Sequence, residues 1–197
     1  MFGVLRRARS LASSSSFSRS FGVVVRSYSS VNATAIAERV ERALAAKAKS
    51  GLSYDQLAAR LGVTNTYVAQ LLMGQAKLTP HTGEKLRDSL PDLCEKDLEA
   101  MQNEFPMRTF CDEILKEPNV YRTYEAIMHN GESIKAIINE QCGDGIMSAI
   151  DFYCDVGSIK GHLGETRVVI TLNGKFLPFA EQLSEHNGAE SPRMEND

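Results

Sequence analysis

The sequence predicts an α+β chain, a helical N-terminal half followed by a small α/β C-terminal part. Three observations predict it. Helix start and stop signals recur from Thr34 to about Gln102, enough for five helices. Farther on, Ile150–Val156 alternates as a strand does, and Arg167–Leu172 and Lys175–Phe179 flank Asn173-Gly174 as the strands of a hairpin do. Pro106 and Pro118 punctuate the stretch between the two patterns.

Composition bounds the partners. Of the 197 residues 43% are hydrophobic, which suffices for a core. No apolar run approaches the ~20 residues of a membrane span, so no membrane partner is expected. The net charge of −3 conceals an asymmetry. Residues 1–37 hold five arginines and no acid, leaving 17 basic residues against 25 acidic beyond them, a balance of −8. A chain that acidic is a poor partner for nucleic acid. Cys94, Cys111, Cys142 and Cys154 have no zinc-ligand spacing and read as reduced packing thiols. His81, His129, His162 and His186 are scattered. Glu125 and His129 are four apart, but a surface pair explains that better than a metal.

In chain order, residues 1–28 come first, rich in Arg and Ser and free of acid. That is the composition of an organellar targeting presequence. Arg26-Ser27-Tyr28-Ser29 resembles a mitochondrial cleavage site, cut after Tyr28. Mitochondrial import is the expectation, with plastid or cytosol as alternatives. An alanine-rich helix is expected from Thr34 to Lys49, closed by Ser50-Gly51. Ser53 with Gln56 forms a capping box for the next. Gly62 breaks that helix, Thr64 caps a third through Leu72, and Gly74 ends it. Thr79-Pro80 is an N-cap followed by proline in the first turn. Asp92 with Glu95 marks a further start.

Gln56 to Gly74 resembles a helix-turn-helix of phage-repressor type. A DNA-binding regulator is therefore the alternative function, with Thr64–Leu72 as its reading helix. That helix has no Lys or Arg, and only Arg60 and Lys77 lie close. Without phosphate neutralisation even non-specific binding has little drive. The motif reads as a scaffold, and no nucleic-acid partner is expected.

Pro118-Asn119 opens a helix that Asn130-Gly131 is expected to end. Arg122 and Glu125 are three apart and share a face, commonly no more than a surface ion pair. A second short helix, Ser133–Gln141, would return to the turn Gly143-Asp144-Gly145 and deliver Ser148 to the Arg122–Glu125 face. An arginine, a carboxylate and a hydroxyl suit a small planar anion. Beyond a strand at Ile150–Val156 and a loop at Gly157–Glu165, Asn173-Gly174 is expected to turn a hairpin between Arg167–Leu172 and Lys175–Phe179. So few strands cannot bury both faces alone, and a second subunit would cover them. The tail from Glu181 is polar and expected to be disordered.

The wording of these stretches carries a specific likeness. Tyr121-Arg122-Thr123-Tyr124-Glu125, Gly143-Asp144-Gly145-Ile146-Met147-Ser148-Ala149-Ile150-Asp151-Phe152, Arg167 to Pro178 and Leu72-Met73-Gly74-Gln75 resemble cyanase, also called cyanate hydratase or cyanate lyase. The resemblance spans roughly residues 35 to 179. It implies a helix-turn-helix-like N-terminal domain and a small α/β C-terminal dimerisation and catalytic domain. With the two ends read from composition, the expected boundaries are 1–28 for the presequence, 29–112 for the helical domain, 113–180 for the catalytic and oligomerisation domain, and 181–197 for the tail. It also implies bicarbonate-dependent decomposition of cyanate to ammonia and carbon dioxide through carbamate. The catalytic residues are then Arg122, Glu125 and Ser148, with no metal and no cofactor, bicarbonate serving as co-substrate. The family's assembly is a homodecamer built from dimers, with sites between subunits. A non-catalytic oligomeric scaffold would not require those three residues together.

Overall fold

The computed structural model describes residues 16–106, 108, 112–186 and 188, with side chains from residue 33 onward. Helices α1 (Ser16–Ser50), α2 (Tyr54–Leu61), α3 (Asn65–Leu72), α4 (Pro80–Ser89), α5 (Glu95–Asn103) and α6 (Pro118–Cys142) precede two strands, β1 (Gly145–Lys160) and β2 (Thr166–Pro178). No helix of the described residues is long and apolar enough to cross a membrane. Contacts divide the chain into two units, residues 1–53 with 70–107, and residues 54–69 with 108–197.

In the first unit, Leu71, Leu72, Leu78, Leu86, Leu90 and Leu98 are buried with Ala43 and Ala46 of α1. These alanines recur at helical spacing, so one stripe of α1 faces inward. Arg42 and Asp97 clamp α1 to α5 through two parallel bonds, Nε to Oδ2 and Nη2 to Oδ1, both 2.8 Å. The forked bond from Arg42 holds the buried Asp97 carboxyl below its usual range. Arg39, itself buried, reaches Glu104 at 2.8 Å.

Several expected boundaries hold. The Thr64 hydroxyl accepts from the Tyr67 N–H at 3.3 Å. Thr79 accepts from the Thr82 N–H at 3.3 Å, with Pro80 in the first turn. Others do not. Helix α1 starts at Ser16 rather than Thr34. Residues 16–33 contain no proline and a single glycine, so nothing in the backbone chemistry stops the helix from running back. Residues 1–15, the first half of the expected presequence, lie outside the described residues, as does Cys111. Helix α5 is capped at Cys94, not Asp92, without a side-chain bond. Asp92 is taken up by Lys49 instead.

The second unit holds the larger corrections. Helix α6 runs unbroken through Asn130-Gly131. The Asn130 amide, which would otherwise favour a stop, donates back to the Ala126 carbonyl at 2.8 Å. The helix ends only at Cys142, with the Gly143 N–H on the Asn139 carbonyl at 3.0 Å. The hairpin turn is also misplaced by the sequence pattern. β1 and β2 pair antiparallel from Gly145↔Pro178 to Lys160↔Thr166, and the turn is Gly161–Glu165. There the Gly161 N–H reaches the Glu165 carbonyl at 2.8 Å, and Gly164 takes φ +79°, which glycine adopts without strain. Asn173-Gly174 lies inside β2, opposite Tyr153 and Phe152.

Gly174 has a different use. Pairing is irregular between Met147 and Phe152. A Cβ at Gly174 would lie 2.2 Å from the Ser148 carbonyl oxygen and 2.5 Å from Met147 Cγ. The glycine lets β2 approach the bulged stretch that carries Ser148.

None of the side chains of α6 or β2 is buried, and β1 buries only Ser148. Tyr121, Tyr124, Ile127, Ile137, Ile159, Val168 and Leu172 are all exposed large apolar groups. In the expected tail, Ser184–His186 forms a short 3-10 turn, while residues 187 and 189–197 lie outside the described residues.

Candidate active site

Arg122 stands in the second turn of α6, where Pro118 presets the first. Its Nη1 donates to Glu125 Oε2 at 2.6 Å. The i, i+3 spacing makes that contact, as the sequence implies. Arg122 is 71% exposed and Glu125 32%. Its hydrogen bond to the Glu125 carboxylate, followed by that group's charge, raises the Arg122 pKa, so the guanidinium stays cationic at any working pH. Only one prong of the fork is engaged by Glu125. The guanidinium also lies 5.5 Å from the Tyr121 ring centroid.

Ser148 sits in the irregular part of β1 and is 7% exposed. The N–H groups of Ile150 and Asp151 donate to its Oγ at 3.1 and 3.0 Å. A hydroxyl has two lone pairs and one proton. Both lone pairs are occupied here, so the proton is what Ser148 can offer.

The structure brings Arg122 and Glu125 together but does not bring Ser148 to them. Among the described residues no hydrogen bond links Ser148 to either. The unbroken α6 explains this. From Arg122 to Gly143 the helix rises by roughly 30 Å at about 1.5 Å per residue. Five extended residues could return at most ~18 Å toward Arg122. Their α-carbons are thus at least ~13 Å apart on one chain, by the same dimensions. A helical return through Ser133–Gln141 would have closed that distance, and it does not exist.

An open groove of about 970 Å³ runs between α6 and the hairpin. Ile127, Ile134 and Ile137 line it from α6, Val168 and Ile170 from β2, with Arg122 also on its wall. Glu125 and Ser148 are not part of that lining. Among the described residues no cluster of three or more His, Cys, Asp or Glu is placed to hold a metal ion.

A further polar arrangement was not legible in sequence. Asn65 and Thr66, the first residues of α3, bond to the backbone of β1 at Val156 and Cys154. They occupy the positions from which a helix-turn-helix would address base edges.

Comparison with known proteins settles the family. The family described as "Cyanate lyase C-terminal domain" matches residues 112–181, and that described as "Cyanate hydratase, N-terminal" matches residues 35–103. The chain belongs to the cyanate hydratase family. A cyanate hydratase of Phaeodactylum tricornutum is 72% identical over 160 residues, covering 81% of this chain and 83% of the relative. One of Arabidopsis thaliana is 53% identical over 143 residues, covering 73% and 84%. A crystal structure of cyanase from T. urticae superposes with TM-score 0.62 at 32% identity, covering 72% of this chain and 97% of that one. The cyanate hydratase fold thus accounts for the mixed α+β architecture, helices first and a two-stranded sheet after. Nothing supports the DNA-binding alternative. The α3 helix carries no basic residue, and its leading polar side chains are engaged by β1.

Proposed function

We propose that this chain decomposes cyanate with bicarbonate as co-substrate, Arg122, Glu125 and Ser148 being the residues that act. The 72% identity to a cyanate hydratase over most of both chains carries the reading. A bicarbonate oxygen attacks the cyanate carbon, giving a dianionic adduct. The adduct takes up one proton and loses carbon dioxide, leaving carbamate. Carbamate takes up a second proton and separates into ammonia and carbon dioxide. In sum, one cyanate, one bicarbonate and two protons become one ammonia and two carbon dioxides.

The barrier has an electrostatic part. Two monoanions ~4 Å apart repel by ~4 kcal/mol at an effective dielectric near 20. Arg122 supplies the counter-charge, and its remaining donors match a planar anion. Ser148, with both lone pairs occupied, donates to an oxygen of the developing dianion. Glu125 grips Nη1 and orients the guanidinium. A single arginine against two anions is a thin balance. The separation of Arg122 from Ser148 and the exposed apolar faces of α6 and the hairpin support a site shared between subunits. A decamer built from dimers is the assembly proposed, with no metal or organic cofactor.

The test is release of ammonia and carbon dioxide from cyanate, with bicarbonate present and then removed. Turnover should collapse to background without bicarbonate. Turnover that persists would remove the two-anion mechanism, and none under either condition would favour the scaffold.

A further inference from the structure

We infer that Asn65 and Thr66 are positioning residues that hold the strand carrying Ser148. This rests on the reading of Ser148 above. The Asn65 amide addresses both backbone groups of one residue. Its Nδ2 donates to the Val156 carbonyl at 2.7 Å, and its Oδ1 accepts from the Val156 N–H at 3.2 Å. This is the two-point pairing by which an Asn amide recognises an adenine edge, turned here onto a peptide. Asp55 fixes the orientation, since its carboxylate takes Nδ2 at 2.7 Å. A flipped amide would set Oδ1 against two acceptors at once. Thr66 Oγ1 donates to the Cys154 carbonyl at 2.5 Å.

Cys154 and Val156 are two residues apart, so their backbone groups emerge on the same edge of β1. The location is what matters. Pairing with β2 lapses after Met147 and resumes at Phe152↔Gly174. Ser148 lies within the lapse, and the clasp takes hold just beyond it. Neither strand has a buried side chain on the far side of that irregularity. Within the chain, side chains hold β1 only loosely there, Phe152 and Cys154 being half-buried, and hydrogen bonds from α3 add the directional constraint. A small displacement at the exit of the bulge would move the Ser148 hydroxyl relative to its anion, and such shifts are expensive in rate.

The experiment compares Asn65→Ala, Thr66→Val and Thr66→Ser in the full chain. It measures kcat, KM for cyanate, assembly by light scattering, and amide exchange at Val156. Asn65→Ala should speed exchange at Val156 and lower kcat roughly tenfold or more. KM should stay within about twofold, the pattern of an interaction felt only in the transition state. Thr66→Ser keeps the donor and should retain activity, while Thr66→Val should lose it. Assembled Asn65→Ala and Thr66→Val proteins with wild-type kcat would overturn the inference. So would loss of assembly in both, because the role would then be purely structural. If only Asn65→Ala fails to assemble, the two Thr66 variants decide it, equal kcat counting against. Wild type without cyanate turnover would instead overturn the functional reading, and Val156 exchange would still report on the clasp.

Discussion

Arg122→Lys should lower kcat by roughly 10²–10³-fold, the loss typical of removing one preorganised donor. Lysine keeps the charge, so any role in simply neutralising two anions would survive the change. What it removes is the rigid fork. Nη1 is already committed to Glu125 at 2.6 Å, and in the proposed mechanism the remaining nitrogens present a fixed edge to the substrates. A lysine has one ammonium to divide between Glu125 and an anion. Cyanate and bicarbonate have no remote groups by which the protein could align them, so the angle of attack must come from donors at the reacting atoms. The effect should fall on kcat with the assembly unchanged by light scattering. A lysine variant retaining more than about a third of wild-type kcat, far short of that loss, would mean that charge alone suffices.

Gly174→Ala should be nearly as damaging although glycine has no side chain with which to act in the reaction. The added methyl would lie 2.2 Å from the Ser148 carbonyl oxygen, so backbone must move. Overpacking of this kind costs about 1–3 kcal/mol of stability. The shift bears directly on the bulge that holds Ser148, and a 1 Å misplacement can cost ~10²-fold in rate. Gly157→Ala is the control, because a Cβ there meets nothing within 4 Å. Thermal unfolding and kcat measured on both variants check the argument. A Gly174→Ala enzyme matching Gly157→Ala in both would mean that the strands do not approach this closely in the working assembly.

The helical half was largely readable because its signals are local. Thr64 and Thr79 accept from N–H groups within one turn and Pro80 fixes its own φ, so their sequence positions suffice. The C-terminal part was misread where local and non-local chemistry compete. Asn130-Gly131 carries a stop signal, but the Asn130 side chain bonds within the helix and the backbone continues. Asn173-Gly174 carries a hairpin signal, but the glycine is required by a carbonyl twenty-six positions earlier in the chain, at Ser148. No window of sequence contains that contact. The Arg122–Glu125 pair was visible from spacing, since three residues on a helix define a face. The clasp of Asn65 and Thr66 was hidden because its acceptors lie about ninety residues on.

The unbroken length of α6 has a consequence in genetics. Two alleles, one defective at Arg122 near the start of α6 and one at Ser148 in the strand that follows its end, damage distant places on one chain. If each site draws its arginine from one chain and its serine from another, a mixed oligomer contains some sites with both lesions and others with neither. Coexpression of two inactive proteins should then restore activity that neither has alone. Lesions at Arg122 and Glu125, three residues apart on one helix, should fail to complement each other.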